Sequence, residues 1–189
     1  MPLNIPNLLT WLRIIAIPLF VAILYFPEDW LTTRQANVVA TVIFVVAAIT
    51  DWFDGYLARR LNQTSAFGAF LDPVADKLMV AAALIVLVEL GRADAIVALI
   101  IIGREITISA LREWMAHIGQ AKSVAVSVLG KVKTVAQLVA IPFLLYDGTL
   151  FGFIDCRVAG RILIWVAAVL TLWSMFYYLK AAIPRISEK

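Results

Sequence analysis

The sequence predicts an all-α, polytopic membrane protein with six transmembrane helices and a short N-terminal interfacial segment. Hydrophobic residues fill 63% of the 189 positions and the mean hydropathy is +0.93, beyond what an ordinary soluble domain carries. Apolar runs recur along the whole chain, each near the ~20 residues that a helix needs to cross ~30 Å of hydrocarbon. The segments between them are too short to hold a second core, so residues 1–189 read as a single domain. Open sheets are excluded, because lipid leaves their edge N–H and C=O groups without partners.

The elements follow in order. From Met1 to Arg13, the polar residues Asn4, Asn7, Thr10 and Arg13 are interleaved with Leu and Ile, the pattern of a stretch lying along the interface before the chain turns inward. The first span, 8–26, does not resemble a cleaved leader. Arg13 sits inside it, Pro18 interrupts it, and Leu24-Tyr25-Phe26-Pro27 offers no small-residue cleavage site. Further spans are expected at 35–57, 74–90, 93–116, 127–146 and 159–181. Ala81, Ala82 and Ala83 suit close helix packing, and Trp30, Tyr146 and Tyr177 or Tyr178 suit interface anchoring. Cys156 is the only cysteine, which excludes an internal disulfide and a cysteine-based zinc cluster.

Lys and Arg near helix ends favour the cytoplasm. Arg13, Arg59, Arg60, Lys77, Arg112, Lys122, Lys131, Lys133, Lys180, Arg185 and Lys189 fall on one side of the six spans, against Arg34, Arg92, Arg157 and Arg161 on the other. Both termini are therefore expected in the cytoplasm. The net charge of +3 and pI of 9.2 describe a basic face suited to anionic lipid head groups. No nucleic-acid partner is expected, since that would need a solvated basic domain.

The chemistry is expected between Asp51 and Lys77, where span two ends and span three begins. Asp51 and Asp54 are spaced i, i+3, and Asp72 and Asp76 i, i+4, so each pair shares a helix face. About four like charges at the edge of hydrocarbon are costly unless protons or cations neutralise them. Carboxylate oxygens suit Mg²⁺ or Mn²⁺, and two such ions would balance the charge and leave positions for a substrate phosphate. Gly55 and Ala58 keep the face of Asp51 and Asp54 without bulk. Arg59 offers a planar donor fork to a phosphate, and Gly68 is placed in the intervening loop ahead of Asp72. The blander alternative is a set of solvated helix-end acids paired with Arg59, Arg60 and Lys77. The joint spacing of all four acids, flanked by Gly and Ala, favours a diphosphate site.

These residues, Asp51-Trp-Phe-Asp54-Gly55-Tyr-Leu-Ala58-Arg59, then Gly68, Asp72 and Asp76, resemble the CDP-alcohol phosphotransferase signature at every fixed position, over about 26 residues with set gaps. The resemblance implies that an alcohol attacks the β-phosphorus of a CDP-linked substrate and that CMP leaves. It also implies that Asp51, Asp54, Asp72 and Asp76 hold two metal ions, with Asp76 the general base, whereas the residues alone do not choose among the four acids. Gly55 and Ala58 would line the nucleotide pocket and Arg59 would contact the diphosphate. Asn7, in an opening stretch similar to that of bacterial members, would join the same site.

The acceptor is to be read from charges in later spans. Arg104 and Glu105 lie in an otherwise apolar run, Arg112 two turns on, and Lys131 and Lys133 open span five. Charges at such depths face a cavity or a partner, and these four cations would cradle a second phosphate. The alternatives are snorkelling of Arg112, Lys131 and Lys133 to the interface, and a buried pair of Arg104 with Glu105 or a pairing between subunits. Gly-Arg-Glu at 103–105 and Gly-Lys-Val-Lys-Thr at 130–134 resemble the bacterial subgroup that transfers the phosphatidyl group of CDP-diacylglycerol to sn-glycerol 3-phosphate. Other acceptors within the family are an inositol phosphate, another alcohol or phosphatidylglycerol. The expected setting is a bacterial inner membrane, with a cytoplasmic site and a homodimer as the family implies. A divalent-cation transporter would want its carboxylates along a continuous path near the midplane, beyond one layer. His117, the only histidine, is expected at the surface.

Overall fold

In a computed structural model, which describes residues 5–60, 66–119 and 128–186, the chain forms six helices: α1 (Ile5–Ile23), α2 (Thr33–Arg60), α3 (Ala66–Glu89), α4 (Ala95–His117), α5 (Val128–Tyr146) and α6 (Cys156–Ile186). The all-α expectation therefore holds. α1 packs on α2 and α3, α2 on α5, α5 along α6, and α6 and α3 on α4. The helices thus close a ring in the order α1, α2, α5, α6, α4, α3.

Two expectations about helix limits are corrected. The stretch up to Arg13 is, from Ile5 onward, the first half of one continuous helix that also carries Pro18, so no separate interfacial segment precedes α1 among the described residues. Thr10 and Arg13 alternate with apolar residues because they face neighbouring helices. α3 begins at Ala66, well before residue 74, and contains Pro73. Its first turns use the apolar Ala66–Leu71 stretch, and Pro73, the eighth residue, lies past the first turn and removes one intrahelical N–H bond there. Gly68 is consequently helical, one turn before Asp72, and not in a loop. α2 likewise runs nine residues past Asp51. The acids therefore sit inside the helices, short of their ends.

The core fills the ring with Phe20, Phe44, Leu84, Leu87, Ile101, Ile141, Leu144 and Ile164, interleaved with Ala40, Ala47, Ala83, Ala140 and Ala168. Small residues let the backbones approach. At Gly160 of α6, an added Cβ would stand 2.8 Å from Leu144 Cγ and 3.2 Å from the Ala140 carbonyl of α5. Only glycine fits that contact. Outside the ring the surface is apolar: Leu12, Leu19, Val46, Ile85, Leu99 and Trp173 are all exposed. Helix segments Thr33–Asp51 and Cys156–Tyr177 are long and apolar enough to cross a membrane, and Leu8–Ile23 and Val132–Tyr146 are shorter apolar helices.

Between α5 and α6 lies a feature the apolar pattern does not announce, a two-residue antiparallel hairpin of β1 (Thr149–Leu150) and β2 (Ile154–Asp155). Phe151 (φ 54°) and Gly152 (φ 78°) turn it in the left-handed region. Phe151 and Phe153 stack on one another and stay exposed, as does Trp30 between α1 and α2.

Candidate active site

α1 delivers two polar side chains to the acids. Thr10 and Arg13, at i and i+3, share one face and are both buried. A guanidinium inside an apolar helix needs a carboxylate, since an unpaired buried charge is far costlier than a paired one. Arg13 Nη1 donates to Asp51 Oδ1 of α2, and Thr10 Oγ1 donates to Asp72 Oδ1 of α3. The first three helices are thereby joined at the level of the signature acids. Gly68, buried in the first turn of α3, shares a face with Asp72 and Asp76 at four-residue intervals.

Asp76 differs from its neighbours. It is exposed and makes no hydrogen bond or ion pair with a described residue. The charges that act on it come from Asp51, Arg13, Glu105 and Lys77, which places it between the Arg13–Asp51 pair and the group around Glu105. It lines a cavity of about 60 Å³ together with Glu105 of α4 and Thr134 and Gln137 of α5.

Beyond the cavity lies the second group. Arg104 of α4 pairs with Glu105 at 2.9 Å and donates to Ser174 Oγ of α6 at 3.3 Å. Lys133 of α5, buried, pairs with the same Glu105 carboxylate. Arg112 is exposed two turns further along α4, and its charge, like that of Arg104, acts on the Lys133 ammonium. Glu105 thus pairs with two cations, and two cations on one carboxylate leave positive charge, which suits a phosphate. The Arg104–Glu105 pair read as an alternative from the sequence is present, and Lys133 joins it.

The side chains of Asn7, Asp54, Ala58, Arg59 and Lys131 and the surroundings of Gly55 lie outside what the structure describes, although the backbones of all six are helical. Among the described residues no three potential ligands gather closely enough to hold a metal ion. Those present do fit one chemically. Asp51, Asp72 and Asp76 offer carboxylate oxygens, the donors that hard divalent cations take. The Asp51 side chain is 40% exposed and reachable. His117, at the end of α4, is exposed.

Sequence reasoning missed Asn37 and Gln137, read Thr10 only as an interfacial residue, and used Arg13 as an interfacial residue, a mark against a leader peptide and a cytoplasmic positive charge, never as a partner of Asp51. A signal for Arg13 existed: a cation three residues from a threonine inside an apolar run requires an acid from elsewhere in the fold.

This arrangement, acids carried on the α2–α3 pair with a basic cluster across a cavity, belongs to a recognisable class. The family model for CDP-alcohol phosphatidyltransferase matches residues 3–173, and the chain belongs to that family. It is 53% identical over 184 residues to proteins of Salmonella typhimurium and Escherichia coli, each named CDP-diacylglycerol–glycerol-3-phosphate 3-phosphatidyltransferase, with 96% of this chain and 96% of each relative covered.

Proposed function

We propose that this chain transfers the phosphatidyl group of CDP-diacylglycerol to sn-glycerol 3-phosphate, giving phosphatidylglycerol phosphate and CMP. The observation that carries the reading is the shared cavity. Asp76, a carboxylate without a fixed partner, and Glu105, which anchors the basic cluster, line the same space. A proton acceptor and the carboxylate that holds Arg104 and Lys133 thus face one small space, with those two cations directly behind Glu105. The names of the full-length relatives support the same reaction.

In this reading the acceptor's phosphate rests on Lys133 and Arg112, with Arg104 and Lys131 supporting, and its primary hydroxyl points to Asp76. Asp76 takes the hydroxyl proton. The oxygen bonds to the β-phosphorus, the bond from that phosphorus to the bridging oxygen breaks, and the bridging oxygen leaves with CMP. Asn7, Gly55, Ala58, Arg59 and Gly68 are assigned to the CDP moiety. Asp51, Asp54, Asp72 and Asp76 are assigned to two divalent ions, Mg²⁺ or Mn²⁺, which when bound draw charge from the diphosphate. Arg13 and Thr10 hold Asp51 and Asp72 in orientation.

The apolar exterior supports embedding all six helices in a bilayer, because soluble monomers rarely expose contiguous apolar patches beyond a few hundred Å². With the basic excess at the aspartate end, both termini and the active site face the cytoplasm of a bacterial inner membrane. The assembly assigned is a homodimer, from the family resemblance.

The test is CMP release from CDP-diacylglycerol by the purified protein in detergent with Mg²⁺, comparing glycerol 3-phosphate, inositol phosphate, serine and phosphatidylglycerol as acceptors. Release with glycerol 3-phosphate at least ~100-fold faster than with the others is expected. Equal or faster release with another acceptor would reassign the basic cluster.

A further inference from the structure

The cavity wall carries one buried polar group that the mechanism above does not use. Gln137 of α5 is 5% exposed, and its Nε2 has no hydrogen-bond partner among the described residues. A buried amide N–H₂ left without an acceptor is costly, and buried polar atoms are otherwise almost always satisfied. Gln137 lines the cavity beside Asp76 and Glu105. The missing acceptor is therefore to be sought in what enters that space.

The lining narrows the choice. The cavity is small, about 60 Å³, and its walls carry two carboxylates, Asp76 and Glu105, against one cation, Lys77. Such walls repel a phosphate and accept hydrogen bonds from hydroxyls. In the acceptor reading the phosphate end therefore stays on the basic cluster while the polyol end occupies the cavity. Lys133 and Gln137 are four residues apart, on one face of α5 and about 6 Å apart along its axis. The helix thus presents an ammonium and an amide in the order in which a phosphate and a neighbouring hydroxyl follow one another on a three-carbon acceptor.

We propose that Gln137 is a specificity-determining residue for the acceptor: its amide donates a hydrogen bond to the acceptor's non-reacting secondary hydroxyl, while the primary hydroxyl is presented to Asp76. The inference rests on the acceptor reading given above. It makes the cavity a detector of adjacent hydroxyls, since an analogue without the secondary hydroxyl leaves the amide unsatisfied in the bound state.

The experiment compares sn-glycerol 3-phosphate with 3-hydroxypropyl phosphate, which lacks the secondary hydroxyl, as acceptors for CMP release from CDP-diacylglycerol with Mg²⁺. The proteins are the full chain and its Gln137→Leu and Gln137→Met variants. The unaltered protein should prefer glycerol 3-phosphate by about 10- to 100-fold in kcat/KM, as one lost hydrogen bond to a buried donor implies. In both variants the preference should fall to about threefold or less, with the KM for CDP-diacylglycerol unchanged. The ratio is taken within each preparation, so a smaller folded fraction cancels. Undiminished preference in the variants overturns the inference and leaves the acceptor reading intact. Equal use of the two acceptors by the unaltered protein overturns it without any variant. No CMP release with glycerol 3-phosphate would instead overturn the acceptor reading and this inference with it.

Discussion

Arg13 and Arg92 are both buried cations in an apolar bundle, one toward each end, and they are held differently. Arg92, between α3 and α4, donates to the Leu145 carbonyl at 2.9 Å, the Leu144 carbonyl at 3.3 Å and Asn37 Oδ1 at 2.9 Å, and pairs with Asp147 at 3.3 Å. Carbonyls that end α5 have no intrahelical donors, and a guanidinium satisfies them. Burial pulls the Arg92 pKa down, and the Asp147 carboxylate pulls it back up. Around this knot Arg161 donates to the Gly91 carbonyl at 2.8 Å and Trp165 to Asp94 at 3.0 Å. Arg13, by contrast, binds Asp51, a partly exposed acid in a group that opens onto a cavity. One end closes its polar groups on each other and welds helices together. The other keeps carboxylates accessible, as the proposed chemistry requires.

The comparison breaks most sharply at Asp76. Asp76→Asn is expected to lower kcat by about 10²–10⁴-fold, the usual worth of a positioned general base. The melting temperature in detergent should stay within about 2 °C, because no described residue depends on Asp76 for a bond. Near-normal turnover would remove Asp76 as the base.

Arg92→Met is the mirror experiment. It strands two α5 carbonyls, Asn37 and part of Asp147, and is expected to destabilise the fold by about 3–5 kcal/mol, the loss typical of breaking a buried pair. The folded fraction, counted by CMP released per folded molecule, should keep its turnover within about threefold. A large loss of turnover with an unchanged unfolding midpoint would show that the two ends are not separable.

Lys133→Met sharpens the functional end from within. Glu105 retains Arg104 at 2.9 Å, so the carboxylate is not stranded. The KM for glycerol 3-phosphate should rise about tenfold or more while that for CDP-diacylglycerol changes less than about twofold. A matched rise in both would make Lys133 a support for Glu105 alone.

Much of this division is legible in the chain before folding. Six apolar runs announce six helices, because hydropathy at membrane length is a local property. The aspartates announce the reactive end, because their i, i+3 and i, i+4 spacings are local too. What escapes is whatever depends on contacts between distant segments. Thr10 meets Asp72 across 62 positions and Asn37 meets Arg92 across 55, and no spacing rule links them. Arg92 reads in the sequence only as one of few cations on its side. Gln137 carries no periodic signal, although a lone amide among Val, Ala and Leu in α5 is the kind of residue that lipid would not tolerate without a partner. The place of Gly68 was misjudged because Asp72 and Pro73 look like a loop boundary, whereas the helix starts a turn and a half earlier on Ala66.

The smallest effect is expected where the welded end reaches water. Arg157 makes a two-pronged contact with Asp147, at 2.6 and 2.7 Å, and its side chain is half exposed. By distance alone this is a stronger interaction than the 3.3 Å approach of Arg92 to the same carboxylate. Exposure reverses the ranking. Solvent screens an exposed pair and the long side chain gives up rotamer freedom to form it, so such pairs contribute about 0–1 kcal/mol. Arg157→Gln should therefore shift the melting temperature in detergent by no more than about 2–3 °C, and 0.5 M NaCl should erase most of that shift. Asp147 remains paired with Arg92 in the variant, and turnover should not change. A loss approaching that of Arg92→Met would mean that the hairpin carrying Gly148 to Asp155, and not the buried guanidinium, is what holds α5 and α6 together at this end.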